Sequence, residues 1–251
     1  MLVGVSGVLS GLFVICANGW MNAPAGFDWV DGKAVNIDPW AAMFNQAALN
    51  QGLHMTIAAF CATGFAVAGV HAIGLLKNPT SSFHAHAFHI ALVIGAVAAI
   101  MQPLQGDRLA KQTAVLQPAK LAAMEVLFRT AKPAPLIIGG IPSEEDQTVH
   151  YGIHIPTLLS FLAHGDFSSE VKGLDQFPRE HWPPVAVTHI AFQIMVGIGT
   201  LLAILGGVSL FALWKKPRWL QHRRVQPLFA VCTPLGFIAV EAGWTVTEVG
   251  R

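Results

Sequence analysis

Five long apolar runs constrain the fold of this 251-residue chain more than any other feature. A helix needs about 20 apolar residues to cross the hydrocarbon core of a bilayer, which is about 30 Å thick. The runs cover residues 2–20, 52–76, 83–104, 185–214 and 225–246. Because lipid offers the backbone no hydrogen-bond partners, the predicted fold is all-α, a polytopic transmembrane bundle of about five helices.

Composition supports a membrane protein and excludes one class of partner. Hydrophobic residues make up 53% of the chain and charged residues only 12%, against roughly a quarter charged in ordinary soluble domains. The formal net charge is +1, and the basic residues form no stripe that would bind phosphates, so nucleic acid is not an expected partner. The surroundings are predicted to be membrane lipid.

The positive charges of the short connections predict the orientation. Lys77 follows the second run, and five basic residues lie in 215–224 between the fourth and fifth, so both connections belong on the cytoplasmic side. The predicted organisation is three helices with an outer loop in 1–104, a large outer loop in 105–184, and two helices in 185–251. A loop of about 80 residues is usually functional or disordered, and its apolar helix-like segments favour an ordered cap.

A histidine and a methionine inside the runs suggest a haem site. His54 lies near the outer end of the second run and Met195 lies in the fourth, and an imidazole with a thioether can complete a low-spin haem iron. Small residues near both would let a flat macrocycle approach the backbone. The alternative is that His54 bonds a neighbouring helix and Met195 only packs, and spacing alone favours that alternative.

The last run carries two acidic residues at membrane depth. Glu241 and Glu248 are seven residues apart, hence on one helix face, with Trp244 between them. Buried carboxylates are costly unless they are paired, protonated or ligating. Pairing of Glu248 with Arg251 is one interpretation, and proton handling or metal ligation is the other.

Lys120 and Glu125 lie five residues apart on a helix predicted over 117–130. That spacing is too far round the helix for an ideal ion pair, so a solvated surface helix is the default prediction. The alternative is a quinol site, in which one of the two groups accepts a proton as electrons leave the ring.

Five ordered motifs together resemble subunit I of cytochrome bd-type quinol oxidases across essentially the whole chain. The motifs are "ANGWMNAPAG" at 17–26, "HMTIAAFCATGFAVAGVHA" from His54, "GDRLAKQTAVLQPAKLAAME" from Gly106, "FQIMVGIG" from Phe192 and "IAVEAGWTVTEVGR" at the end. Any one of them alone would be a weak signal.

The resemblance implies site residues. It implies that His54 and Met195 are the axial ligands of haem b558, and that Lys120 and Glu125 serve quinol oxidation in the external Q loop. Glu248 matches a glutamate at the high-spin haem irons. Three further residues belong to the implied haem environment: Trp244, Arg251, and Gln193, which stands where some family members carry an arginine.

The resemblance also implies cofactors and partners. These are haem b558, with haem b595 and haem d in the complete enzyme, ubiquinol or menaquinol as substrate, dioxygen, and an oxidase subunit II. The implied location is the bacterial plasma membrane, with the Q loop on the periplasmic or extracellular side. The resemblance further implies a fragment that lacks N-terminal and C-terminal helices of the family, so oxygen reduction by this chain alone is not expected. Two alternatives stay open: a cofactor-free membrane transporter and a non-functional remnant.

Overall fold

A computed structural model describes residues 2–215 and 217–250 of the chain. It contains five helical segments long and apolar enough to cross a membrane. They are Leu2–Asn22, Ala48–Lys77, Ser82–Leu116, Arg179–Lys215 and Gln226–Val249. Each coincides with one of the apolar runs, so the prediction of a five-span helical bundle is confirmed.

The secondary structure consists of ten helices and six short strands among the described residues. The helices are α1 (Leu2–Asn22), α2 (Pro39–Met43), α3 (Ala48–Lys77), α4 (Ser82–Leu116), α5 (Pro118–Met124), α6 (Leu158–His164), α7 (Val185–Lys215), α8 (Pro217–Leu220), α9 (Gln226–Cys232) and α10 (Leu235–Val249). The strands are β1 (Asp28–Val30), β2 (Lys33–Val35), β3 (Leu136–Ile138), β4 (Ile141–Ser143), β5 (Thr148–His150) and β6 (Ile153–Ile155). The strands form three antiparallel pairs, β1–β2, β3–β6 and β4–β5, all in the outer loops.

The fifth span is two helices rather than the single one predicted. α9 ends at Cys232 and α10 begins at Leu235, with Thr233 and Pro234 between them. Proline has no backbone N–H and its ring clashes with the preceding turn, so it interrupts the helical ladder. Pro103 lies inside α4, which nevertheless continues to Leu116.

Close backbone contacts hold the bundle together. A Cβ built on Gly64 of α3 would lie 2.4 Å from the Cα of Gly95 in α4, and one on Gly236 of α10 would lie 2.5 Å from the Cα of Ala62. Small residues of this kind let membrane helices approach and gain van der Waals contact. α4 and α10 each pack against both α3 and α7, so these two helices hold α3 and α7 in place.

The outer loop has its own apolar core. Its members come from α5, the turn after it, α6, the 3₁₀ turn at Leu174–Gln176 and the start of α7. The largest are Leu121, Leu127, Phe128, Leu159, Leu174 and Val185. The helix predicted over 117–130 is shorter than expected, because α5 ends at Met124 and Val126 adopts a left-handed conformation with φ of 52°.

Candidate functional site

His54 sits on α3 with one ring nitrogen bonded and the other buried without a partner. Its Nε2 lies 3.0 Å from Nε2 of Gln102 on α4, and the same amide nitrogen donates to the backbone oxygen of His54 at 3.3 Å. Nδ1 is buried and has no hydrogen-bond partner. A neutral imidazole has one donor and one acceptor nitrogen, so the protein leaves half of this ring's bonding capacity unused.

Met195 on α7 lies against a glycine of α10. A Cβ built on Gly243 would lie 2.8 Å from Sδ of Met195, so only glycine fits there without moving the thioether. A thioether and an imidazole are the side-chain types that ligate a low-spin haem with His and Met ligands. The residues present therefore fit such a group.

Gln193, two residues before Met195, is engaged by the outer loop. Its Oε1 accepts a hydrogen bond from the backbone N–H of Gly139 at 3.1 Å, and its Nε2 donates to the backbone oxygen of Ile137 at 3.1 Å. An amide nitrogen carries two N–H groups, so a haem propionate would have to use the second.

Lys120 and Glu125 are both buried, with exposed fractions of 7% and 4%, so the prediction of a solvated surface helix is wrong. The reason is that α5 packs into the core of the outer loop instead of lying on its surface. Lys120 Nζ donates to Oδ1 of Asn22 at 3.4 Å and to the backbone oxygen of Thr247 at 3.5 Å.

The Glu125 carboxyl lies in surroundings that favour its protonated form. Its Oε2 is buried without a hydrogen-bond partner. Burial disfavours the charged form and raises the pKa of the carboxyl to about 8. This group is therefore mostly protonated at neutral pH and close to the point at which it releases its proton.

Two asparagines of α1 connect the Lys120 region to Glu248, and sequence reasoning missed both. Asn22 Nδ2 donates to Oδ1 of Asn18 at 2.9 Å, and Asn18 Nδ2 donates to Oε1 of Glu248 at 2.5 Å. Gln117 Nε2 also donates to Oδ1 of Asn22, at 2.9 Å. The available signal was two amides four residues apart, on one face of an apolar helix.

The remaining predicted residues lie on or beyond α10. Glu248 and Trp244 are partly buried, whereas Glu241 is exposed, so the two acidic residues of the last run have different surroundings. Arg251 lies outside the described residues. Within 2–215 and 217–250, the side chains of His, Cys, Asp and Glu nowhere gather in groups of three that could hold a bare metal ion.

Comparison with known proteins covers the whole chain. The family model described as cytochrome bd terminal oxidase subunit I matches residues 1–251. A Bacillus subtilis strain 168 protein whose name assigns it to a cytochrome bd menaquinol oxidase, as subunit I, is 35% identical over 262 residues, covering 100% of this chain and 57% of its own length. Cytochrome bd ubiquinol oxidase subunit 1 of the same strain is 31% identical over 262 residues, covering 100% of this chain and 55% of its own length.

A solved structure has the same fold as this chain. The bd oxidase from Geobacillus thermodenitrificans superposes with a TM-score of 0.90 at 35% sequence identity, over 99% of this chain and 57% of the solved one. The chain thus spans a little over half the length of the relatives it matches. With a family model that matches every residue and a fold that superposes on a solved bd oxidase, the chain belongs to the cytochrome bd terminal oxidase subunit I family.

Proposed function

We propose that this chain is the quinol-oxidising, haem b558-binding part of a cytochrome bd-type terminal oxidase, which transfers electrons from quinol to dioxygen. The observation that carries the proposal is the buried Nδ1 of His54, which has no protein partner. An unsatisfied nitrogen in a membrane-spanning helix is costly. An iron on Nδ1 would need the tautomer with its hydrogen on Nε2, and therefore the Gln102 amide turned so that its oxygen accepts that hydrogen. Oε1 of Gln102 is also buried without a partner, so this arrangement would satisfy both groups.

His54 and Met195 are the proposed axial ligands of haem b558. His54 lies six residues into α3, about 9 Å along the helix axis, and Met195 lies ten residues into α7, about 15 Å along. A haem bound there would accept and pass on single electrons. In this proposal the protein sets the ligand types and leaves room at Gly243 for the thioether.

Lys120 and Glu125 are the proposed quinol site. Oxidation of a quinol releases two electrons and two protons, so a nearby base must accept a proton as electrons leave. The unpartnered Oε2 of Glu125 is suited to that role once the carboxyl is ionised. The Lys120 ammonium would donate a hydrogen bond to a ring oxygen and stabilise negative charge on it.

Further roles are proposed for the complete oxidase. Glu248, Trp244 and Arg251 would belong to the surroundings of haem b595 and haem d, with Glu248 at the iron, and Gln193 to those of haem b558. The partners proposed are ubiquinol or menaquinol, dioxygen and oxidase subunit II. The location proposed is the bacterial plasma membrane, with the outer loop on the periplasmic or extracellular side.

A reduced-minus-oxidised visible spectrum tests the proposal. We expect a low-spin b-type α-band in the oxidase that contains this chain, and its loss in both His54→Ala and Met195→Ala. His71→Ala is the matched control, because His71 lies on the same helix and bonds His84 through Nδ1 at 2.9 Å. A band that persists unchanged in the His54 and Met195 variants would refute the ligand assignment.

Quinol oxidation is tested separately from haem binding. Glu125→Gln keeps the size of the side chain and removes the ionisable carboxyl, so quinol-dependent oxygen uptake should fall while the haem band remains. Unchanged oxygen uptake would refute the role of Glu125 and leave the haem assignment intact.

A further inference from the structure

His189 on α7 bonds two separate segments of the outer loop. The ring is fully buried, with an exposed fraction of 0%. Its Nδ1 lies 2.7 Å from the backbone oxygen of Met124, at the end of α5, and its Nε2 lies 3.1 Å from the backbone oxygen of Gly139, just after β3. One side chain of a membrane-spanning helix therefore connects α5 to the strand region.

Gln193 completes this attachment one helical turn later. Residues four apart share a helix face, and Gln193 bonds the backbone N–H of Gly139 and the backbone oxygen of Ile137. Gly139 has a φ of +67°, and both its N–H and its carbonyl are bonded by α7. The face of α7 formed by His189 and Gln193 is thus a fixed support for the loop.

The residue that follows Met124 is Glu125, whose backbone N–H donates to the oxygen of Leu121 at 3.0 Å. Oε2 of Glu125 has no hydrogen-bond partner. The next residue, Val126, has a φ of 52°, a conformation that is unfavourable for a β-branched side chain and persists only where the surroundings enforce it. The position of the Glu125 carboxyl therefore depends on how the backbone at Met124 is held.

We propose that His189 is a positioning residue for quinol oxidation: packed between the Met124 and Gly139 carbonyls and donating to the nearer one, that of Met124, it holds the Glu125 carboxyl where the substrate's proton is transferred. The inference rests on the proposed function, since it assigns a task to a residue beside the proposed quinol site. His189 itself does not reach substrate, because carbonyl oxygens cover both of its ring nitrogens.

The acceptors that face His189 determine which substitutions test the proposal. Each partner is a carbonyl oxygen, which only accepts, and a neutral imidazole donates through one nitrogen. A neutral ring therefore donates to one carbonyl at a time, and the contact with the Met124 oxygen, at 2.7 Å, is the shorter of the two. Leucine at this position offers no donor, whereas glutamine offers an amide with two N–H groups and can replace at least one bond.

The experiment measures kcat and KM for quinol in the oxidase that contains this chain, together with the haem b558 band. Misplacement of a reacting group by about 1 Å can cost a hundredfold in rate, so we expect kcat to fall about tenfold to a hundredfold in His189→Leu. KM should change much less, the haem band should remain, and His189→Gln should recover a large part of the lost rate. His71→Leu, at the far end of the bundle, should keep the wild-type kcat.

Two results would overturn the inference: a wild-type kcat in His189→Leu, or equal losses in the Leu and Gln variants with the haem band intact. Where His189→Leu fails to assemble with haem, the pair His189→Gln and His189→Asn decides. Asparagine is one methylene shorter and reaches the carbonyls less well, so a slower Asn variant supports positioning and equal rates refute it. Failure of the proposed function is distinguishable, because the wild-type oxidase would then oxidise no quinol.

Discussion

Replacing Gly243 with alanine should move the proposed methionine ligand without disrupting the bundle. A Cβ built on Gly243 lies 2.8 Å from Sδ of Met195 and 3.6 Å from its Cγ. Apart from the adjacent residues and the backbone of its own helix, no other atom of the described residues lies within 4 Å. An ordinary contact is 3.4–4 Å, so the sulfur must retreat by about 0.6 to 1.2 Å from its 2.8 Å position. Metal–ligand distances are held to within about 0.2 Å, so this shift is several times the tolerance of an iron–sulfur bond.

The loss of folding stability in Gly243→Ala should be small compared with its effect on ligation by Met195. The displaced atom is near the end of a flexible side chain, not backbone. An added methyl group in a packed interior costs roughly 1–3 kcal/mol, and alanine recovers about 0.5–1 kcal/mol of that over glycine within a helix. The variant should therefore fold and lose ligation, instead of losing both.

The assay is the reduced-minus-oxidised spectrum, read beside the thermal midpoint of unfolding. We expect Gly243→Ala to lose most of the low-spin α-band while its midpoint stays near that of the wild type. Gly207→Ala is the matched control, since it lies on α7 and its built Cβ meets nothing within 4 Å. A wild-type band in Gly243→Ala would refute the assignment of Met195 as a ligand held against this glycine.

Three further predictions follow from single contacts. Because the pKa of Glu125 is raised to about 8, its carboxylate fraction grows as pH passes that value, so kcat/KM for quinol should rise there and become flat in Glu125→Gln. Asn18→Ala removes a donor to Glu248. A typical hydrogen bond contributes about 0.5–1.5 kcal/mol, so the thermal midpoint of unfolding should be lower than that of the wild type. Gly64→Ala places a methyl group against the backbone of Gly95, so it should reduce the yield of assembled protein well below that of Gly207→Ala; an equal yield would contradict the close packing.

The five-span bundle could be predicted because each helix forms in response to the apolar residues of its own segment. Every apolar run long enough to span a bilayer became a helix, since lipid leaves the backbone no other way to satisfy its hydrogen bonds. The break at Pro234 was missed, although proline is the expected cause of an interrupted helix. Residue type alone does not predict such a break, because α4 continues through Pro103.

The burial of Lys120 and Glu125 could not be read from their spacing. Helical spacing describes how two residues face each other, whereas burial depends on what packs over them. Here α6 and the chain near Leu174 cover α5, and both are more than thirty residues away in sequence. The apolar segment 121–124 between the two charged residues was the local hint that this helix is not on a surface.

The hydrogen-bond partners of Asn18 and His189 could not be predicted for the same reason. Asn18 bonds a residue 230 positions away, and His189 bonds one 65 positions away. Hydrogen bonds of that range become visible only when the topology brings the elements together. A buried polar residue in an apolar run signals that a partner exists, but not which one.

The two proposed sites would take up the protons and the electrons of quinol oxidation at different places in the fold. Lys120 and Glu125 lie in the outer loop, beyond the end of α4, whereas His54 and Met195 lie within the membrane-spanning helices α3 and α7. In the proposed reaction, a proton accepted by Glu125 would enter the loop, while the electrons would pass to a site within the membrane-spanning helices. Since His189 and Gln193 hold the loop to the same helix that carries Met195, α7 sets the position of the proposed proton acceptor relative to the proposed haem ligand. A change in that attachment should therefore alter the rate of quinol oxidation while leaving both proposed haem ligands in place.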